Sequence, residues 1–136
     1  MDDLSQVIAI IRKHFPEVQA IYLFGSFGTP YARPESDLDI GILLPPTQAR
    51  ETGNLLLGAL HDELTRALGR DVDLINLRMA STVLAKEAVL RGSRIFCADV
   101  YAADEFEMLT LSYYQHLNQE RHGIVDAILE TGRVLQ

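Results

Sequence analysis

The stretch VQAIYLFGSFGTPYARPESDLDIGILL, residues 18–44, decides how this chain folds. Its opening, VQAIYLF (18–24), is rich in branched and aromatic residues, is too short for a typical helix and ends at Gly25, which is the pattern of a buried strand. The next 12 residues, GSFGTPYARPES, hold two glycines and two prolines and read as a loop with room for a short helical turn. LDIGILL (38–44) is a second strand, closed by Pro45 and Pro46, neither of which can extend a central ladder. A link of this length does not force a parallel crossover, so a mixed sheet is expected.

Working outward, Leu4, Val7, Ile8, Ile11 and Phe15 form an apolar stripe at helical spacing that stops at Pro16. Residues 48–68 carry Leu57, Leu60, Leu64, Ala67 and Leu68 and end at Gly69, which predicts a second helix with a glycine cap. DVDLINL (71–77) is a third strand. Ser81 is placed to cap a third helix that runs to Gly92, and SRIFC (93–97) is a short fourth strand. From Asp104 to about Gly132, the positions Phe106, Leu109, Tyr113, Leu117, Ile124 and Ile128 keep a helical rhythm. Gly123 weakens its middle by about 1 kcal/mol relative to alanine, so one long helix and two shorter ones both fit. The order predicts an α+β fold, a small mixed β-sheet covered by helices in two layers, with a long C-terminal helical segment. A single domain over 1–136 is expected, with a core of about 1–98 and a helical segment of about 100–132.

The 136 residues are 48% hydrophobic and 23% charged, the balance of a chain that folds by burial. A net charge of −7 argues against non-specific attraction to nucleic acid or to anionic membrane. The single cysteine, Cys97, cannot form an intrachain disulfide. Together with the acidic start MDDLSQ and the lack of any apolar run long enough to span a bilayer, it makes the cytoplasm the expected compartment.

The chemistry is concentrated where the second strand begins. Side chains alternate along a strand, so Asp37 and Asp39 share one face while Leu38, Ile40 and Ile42 take the other. Two adjacent carboxylates repel unless a divalent cation neutralises them, and hard oxygen ligands suit magnesium or manganese. Asp73, on the third strand, can join them if that strand neighbours the second. Asp71 has the same parity and is the rival, although Val72 and Leu74 anchor Asp73 inside the strand. Three such acids can hold two metal ions about 3.5–4 Å apart, an arrangement suited to in-line displacement at phosphorus. Gly25 and Ser26 supply the phosphate contacts, because a glycine lets backbone N–H groups approach closely and the serine adds a hydroxyl.

Gly25-Ser26, ten intervening residues and Asp37-Leu38-Asp39 form the pattern GS-x10-DxD, which resembles the DNA polymerase beta-like nucleotidyltransferases. The segments IRKHFPEVQAIYLFGSFG, ARPESDLDIGILL, GRDVDLINL and VLRGSRIFC resemble the minimal, MNT-type antitoxins, encoded with HEPN-domain toxin RNases. The resemblance implies that Gly25 and Ser26 bind the nucleotide phosphates, that Asp37 and Asp39 are metal ligands and that Asp73 is the third catalytic carboxylate and ligand. It also implies Mg2+, with two ions, and ATP as donor of AMP to a tyrosine of a partner toxin, with neither nucleic acid nor membrane as a direct partner. Many relatives place a basic residue just after the Gly-Ser. Here Phe27, Gly28, Thr29 and Pro30 follow, and Arg33 is the nearest cation in the loop, a candidate phosphate contact as well as a candidate surface charge. Two other readings share these residues: a small-molecule nucleotidyltransferase of the aminoglycoside-modifying type, and an antitoxin that acts by binding alone.

The remaining polar residues have plainer readings. His14, His61, His116 and His122 lack zinc-site spacing. Asp62, Glu63, Glu105 and Glu107 read as solvated helix faces. Met108, Leu111 and Tyr114 lie off the apolar stripe of the last helix, which suits a partner surface and ordinary packing about equally.

Overall fold

A computed structural model of the chain describes residues 3–24, 38–53 and 58–131, with side chains followed as far as residue 119. The elements run α1 (Asp3–His14), β1 (Ala20–Phe24), β2 (Leu38–Leu43), α2 (Pro46–Thr52), α3 (Ala59–Leu68), β3 (Val72–Asn76), a 3-10 turn (Leu77–Met79), α4 (Thr82–Arg91), β4 (Ser93–Cys97) and α5 (Val100–Thr131).

The four described strands form one mixed sheet in the order β3-β2-β1-β4. Strand β1 runs antiparallel to both β2 and β4, whereas β2 and β3 are parallel. Strand alternation then sorts the core into two parts. Ile21, Leu38, Ile40, Ile42, Val72 and Leu74 pack with Val7 and Ile11 of α1 and with Leu60 and Leu64 of α3. Tyr22, Phe24 and Leu43 point the other way, towards Leu77, Ala88 of α4 and Ala103 of α5. The α+β sheet expected from sequence is therefore covered by α1 and α3 on one face, and over β1 by α4 and α5 on the other.

The helix expected over 48–68 is instead two helices. Gly53 adopts φ 64, ψ −126, a backbone that side-chain-bearing residues rarely tolerate, and it terminates α2. Pro46 begins that helix, where its missing N–H costs nothing. Leu57 lies outside the described residues. Leu60 and Leu64 are buried in α3, but Ala67 is exposed. Gly69 closes α3 in the left-handed conformation, and the Ser81 hydroxyl accepts a hydrogen bond from the Leu84 N–H at the start of α4, both as the sequence suggests.

The last helix is one element and passes through Gly123 without a break. It begins four residues earlier than the apolar rhythm indicates, because the Asp99 carboxylate accepts the Ala102 N–H as an N-cap. The buried side chains of α5 include Ala103 and Thr110, while Leu109 and Tyr113, expected on its apolar stripe, are exposed.

Candidate active site

Asp39 is the second residue of β2 and Asp73 the second of β3, and the parallel register pairs them directly. Register partners on neighbouring strands stand about 4.8 Å apart and project from the same face. Asp39 is half-buried and Asp73 exposed, while Leu38 and Val72, their register-paired neighbours, are buried on the opposite face. Alternation thus anchors the apolar side of the rung and lifts two carboxylates from the other. Asp71 precedes β3, and its carbonyl accepts the Leu38 N–H. Asp73, rather than Asp71, is the residue level with Asp39.

Gly25, Ser26, Arg33 and Asp37, the other expected site residues, lie outside the described residues, as do Tyr31 and Ser36. The frame on either side of them is described. Phe24, the last residue of β1, is the register partner of Asp39. The C-terminal end of α4 closes against that strand end at Gly92, where an added Cβ would stand 3.0 Å from the Leu23 carbonyl oxygen and 3.0 Å from the Phe24 Cβ. A glycine at 92 lets the helix end approach the strand that leads into the Gly-Ser segment.

A second polar cluster was not legible as one. The Tyr22 hydroxyl donates to Glu107 of α5 at 2.7 Å, and Arg94 of β4 donates to Glu107 and, at 2.9 Å, to Asp104. Burial first, and then the hydrogen bond to the Glu107 carboxylate, raise the Tyr22 pKa. Hydrogen bonds from Arg94 to Glu107 and then to Asp104 hold its guanidinium firmly charged. Glu107 is thus a fastening between α5 and the sheet, not a solvated face. The sequence signal was the lone arginine of SRIFC, a short strand followed by an acidic helix start.

Glu63 is likewise engaged rather than simply solvated. It joins α3 to Lys13 and His14 of α1, with His14 Nε2 at 2.8 Å. Asp62 and Glu105 are exposed, as expected.

Beyond the end of β3, a cleft of about 290 Å³ opens between α4 and α5, lined by residues such as Leu77, Phe106, Leu109 and Tyr113. It begins past the C-terminal end of β3, whereas Asp73 sits at the N-terminal end of that strand. This cleft is separate from the carboxylate pair.

Among the described residues, no three His, Cys, Asp or Glu side chains gather closely enough to hold a metal ion. What the described residues do provide is a pair of hard oxygen donors side by side on one face, which fits a divalent cation of the magnesium type.

Carboxylates presented from the starts of adjacent parallel strands suit metal-assisted phosphoryl and nucleotidyl transfer. Residues 5–101 match the family described as "Polymerase beta, Nucleotidyltransferase", and the chain belongs to that family. It is a homologue of Protein adenylyltransferase MntA of Shewanella oneidensis strain MR-1, with 37% identity over 126 residues that span 92% of this chain and 86% of that protein. Two solved structures extend the similarity. One is a toxin-antitoxin with AMP-PNP, at 35% identity and TM-score 0.71, covering 93% of this chain and 98% of that one. The other is a tri-AMPylated Shewanella oneidensis HEPN toxin in complex with MNT antitoxin, at 36% identity and TM-score 0.65, covering 93% and 96%.

Proposed function

We propose that this chain is an antitoxin protein adenylyltransferase that moves AMP from ATP to a tyrosine hydroxyl of a HEPN-domain toxin and so neutralises it. The observation that carries this reading is the register pair Asp39–Asp73 at the open end of β2 and β3. In the proposed reaction the tyrosine oxygen bonds to the α-phosphorus and the bond from that phosphorus to the β-phosphate oxygen breaks. Pyrophosphate leaves, and the phenolic proton passes to solvent.

Asp37, Asp39 and Asp73 would hold Mg2+, as two ions, which when bound supplies neutralisation of the triphosphate charge and lowers the pKa of the attacking hydroxyl. Asp73 is the more exposed of the described pair. Gly25 and Ser26 follow directly on Phe24, the register partner of Asp39, and would hold the terminal phosphates. Arg33 would add a cation there, since Arg94 is already committed to Glu107 and Asp104. The similarity to an adenylyltransferase, and to antitoxin chains solved with AMP-PNP and beside an AMPylated toxin, supports the nucleotide and the acceptor.

The test is mass spectrometry of the cognate HEPN-domain toxin after incubation with this chain, ATP and Mg2+. AMP increments on a toxin tyrosine are expected, and none with the Asp39→Asn chain. Toxin neutralised without any increment would overturn the catalytic reading in favour of binding alone.

A further inference from the structure

A single rung of the sheet runs from the acids to the end of α4. Asp73 is level with Asp39, Asp39 with Phe24, and Leu23 with Ser93 at the start of β4, so one further step brings Gly92 beside Phe24. The close approach of Gly92 to the Phe24 Cβ is that step. At about 4.8 Å per strand spacing, the end of α4 stands about 10 Å from Asp39. It also stands on the working face. Phe24 packs in the part of the core under α4 and α5, and register partners project from one face, so Asp39 and Asp73 emerge on that side too. One end of the rung thus carries two carboxylates, and the other carries Arg91, the last residue of α4.

Arg91 is held loosely. Its Nε lies 3.3 Å from Glu87, one turn back on the same helix, and its side chain is 76% exposed, the kind of pair that contributes little. Glu87 does not depend on it. Lys86 donates to the same carboxylate at 2.8 Å, and that hydrogen bond, ahead of the charge of Arg91, holds the Glu87 carboxyl below its ordinary value. Arg91 can therefore turn away without stranding a charge. The other arginines near the sheet are tied more firmly: Arg94 to Glu107 and Asp104, and Arg78 to the Leu44 carbonyl and the Gln19 side chain. Arg70, just before β3, is already engaged.

A helix C-terminus carries partial negative charge, and a chain of net −7 repels phosphate, so a polyphosphate that reaches from the acids to the end of α4 needs a cation there. A guanidinium suits it, because its parallel N–H donors match phosphate oxygens. We propose that Arg91 turns from Glu87 to the β- and γ-phosphates of ATP and is the described cation that binds the pyrophosphate portion of the nucleotide. The proposal rests on the ATP assigned under the proposed function, which puts the terminal phosphates beside the end of β1. It deepens that reading by giving the charge of the leaving pyrophosphate a partner.

The experiment compares full-length wild type with Arg91→Gln, Arg91→Lys and Glu87→Gln. Each chain is titrated calorimetrically with AMP-PNP and with AMP in the presence of Mg2+, and helix content is checked by circular dichroism. Arg91→Gln is expected to bind AMP-PNP about tenfold more weakly, with AMP affinity and helix content unchanged, and Arg91→Lys to recover part of the loss. Glu87→Gln breaks the same helix-surface pair but leaves Arg91 in place, so it is expected to bind AMP-PNP at least as tightly as wild type. Unchanged AMP-PNP affinity in Arg91→Gln would overturn the proposal. So would an equal loss in Glu87→Gln, which would make the pair structural, or an equal loss for AMP, which would place Arg91 away from the terminal phosphates. Failure of the two readings is distinguishable, because the titration needs no toxin. Arg91→Gln selectively weak for AMP-PNP while wild type never modifies the toxin would sink the protein acceptor and keep Arg91, whereas a wild type that binds no AMP-PNP would sink both.

Discussion

The two ends of the β2–β3 pair are built from the same parallel ladder and put to opposite uses. At the far end Ile42 is level with Asn76, which is buried, and the Asn76 side-chain amide donates to the carbonyls of Ala49 and Gly53 at 2.8 and 3.0 Å. Those carbonyls belong to the last turn and cap of α2, where the Ala49 carbonyl also accepts the Gly53 N–H and Asn76 adds a second bond. At the near end, three residues or about 10 Å away, Asp39 and Asp73 place two carboxylates level with each other. A polar residue at one end satisfies its neighbours and ties a helix to the sheet. A polar pair at the other end sets two carboxylates level with each other, an arrangement that suits a divalent cation.

The comparison is tested most severely at the acidic rung. Asp39→Asn and Asp73→Asn are each expected to lower the rate of AMP transfer about a hundred- to thousandfold, read as AMP incorporation into toxin over time. Their folds should be retained, because neither side chain belongs to the buried apolar core. A variant that lost activity only by unfolding would erase the contrast between the two ends.

The reverse is expected of Asn76→Leu. It removes the donor to the Gly53 carbonyl and the second donor to the Ala49 carbonyl, which keeps the Gly53 N–H, and a loss of about 1–3 kcal/mol should appear in urea unfolding, with transfer activity retained by the folded fraction. Gly53→Ala sharpens the same end on a smaller scale. Nothing crowds an added Cβ there, so the cost is that of the positive φ alone, about 1 kcal/mol in the same assay.

The smallest effect concerns acid. Hydrogen bonds from Lys13 and then His14 hold the Glu63 carboxyl below its ordinary 4.5. A depressed carboxyl contributes stability that is present above the ordinary value and is lost as pH falls through the folded one. Wild type should therefore lose slightly more stability than Glu63→Gln between pH 6 and acid below about 4 when both are followed by urea midpoints.

Where one residue's chemistry decided its environment, the sequence was readable. The alternation in DLDIGILL and DVDLINL separated Asp39 and Asp73 from their apolar neighbours, and the register pairs them. Pro16, Gly69 and Ser81 marked helix ends by local backbone chemistry, and the structure keeps all three roles. What was missed depends on contacts far apart in the chain. Glu107 read as solvated because its partners, Tyr22 and Arg94, lie 85 and 13 residues away. Asn76 was passed over inside an apolar strand, although a lone amide there calls for a buried partner. The break at Gly53 was hidden by apolar spacing that continues beyond it. On α5 periodicity found the helix and placed Phe106 against the core, but Leu109 and Tyr113 on the same stripe are exposed.

The central claim is that Asp39 and Asp73 jointly hold a divalent cation together with the triphosphate. Calorimetric titration of AMP-PNP into wild type, Asp39→Asn and Asp73→Asn, with Mg2+ and with chelator, tests it most directly. The account predicts binding that needs Mg2+ in wild type and is weakened at least about tenfold by either substitution. Equal affinity in all three chains, or affinity indifferent to Mg2+, would contradict it.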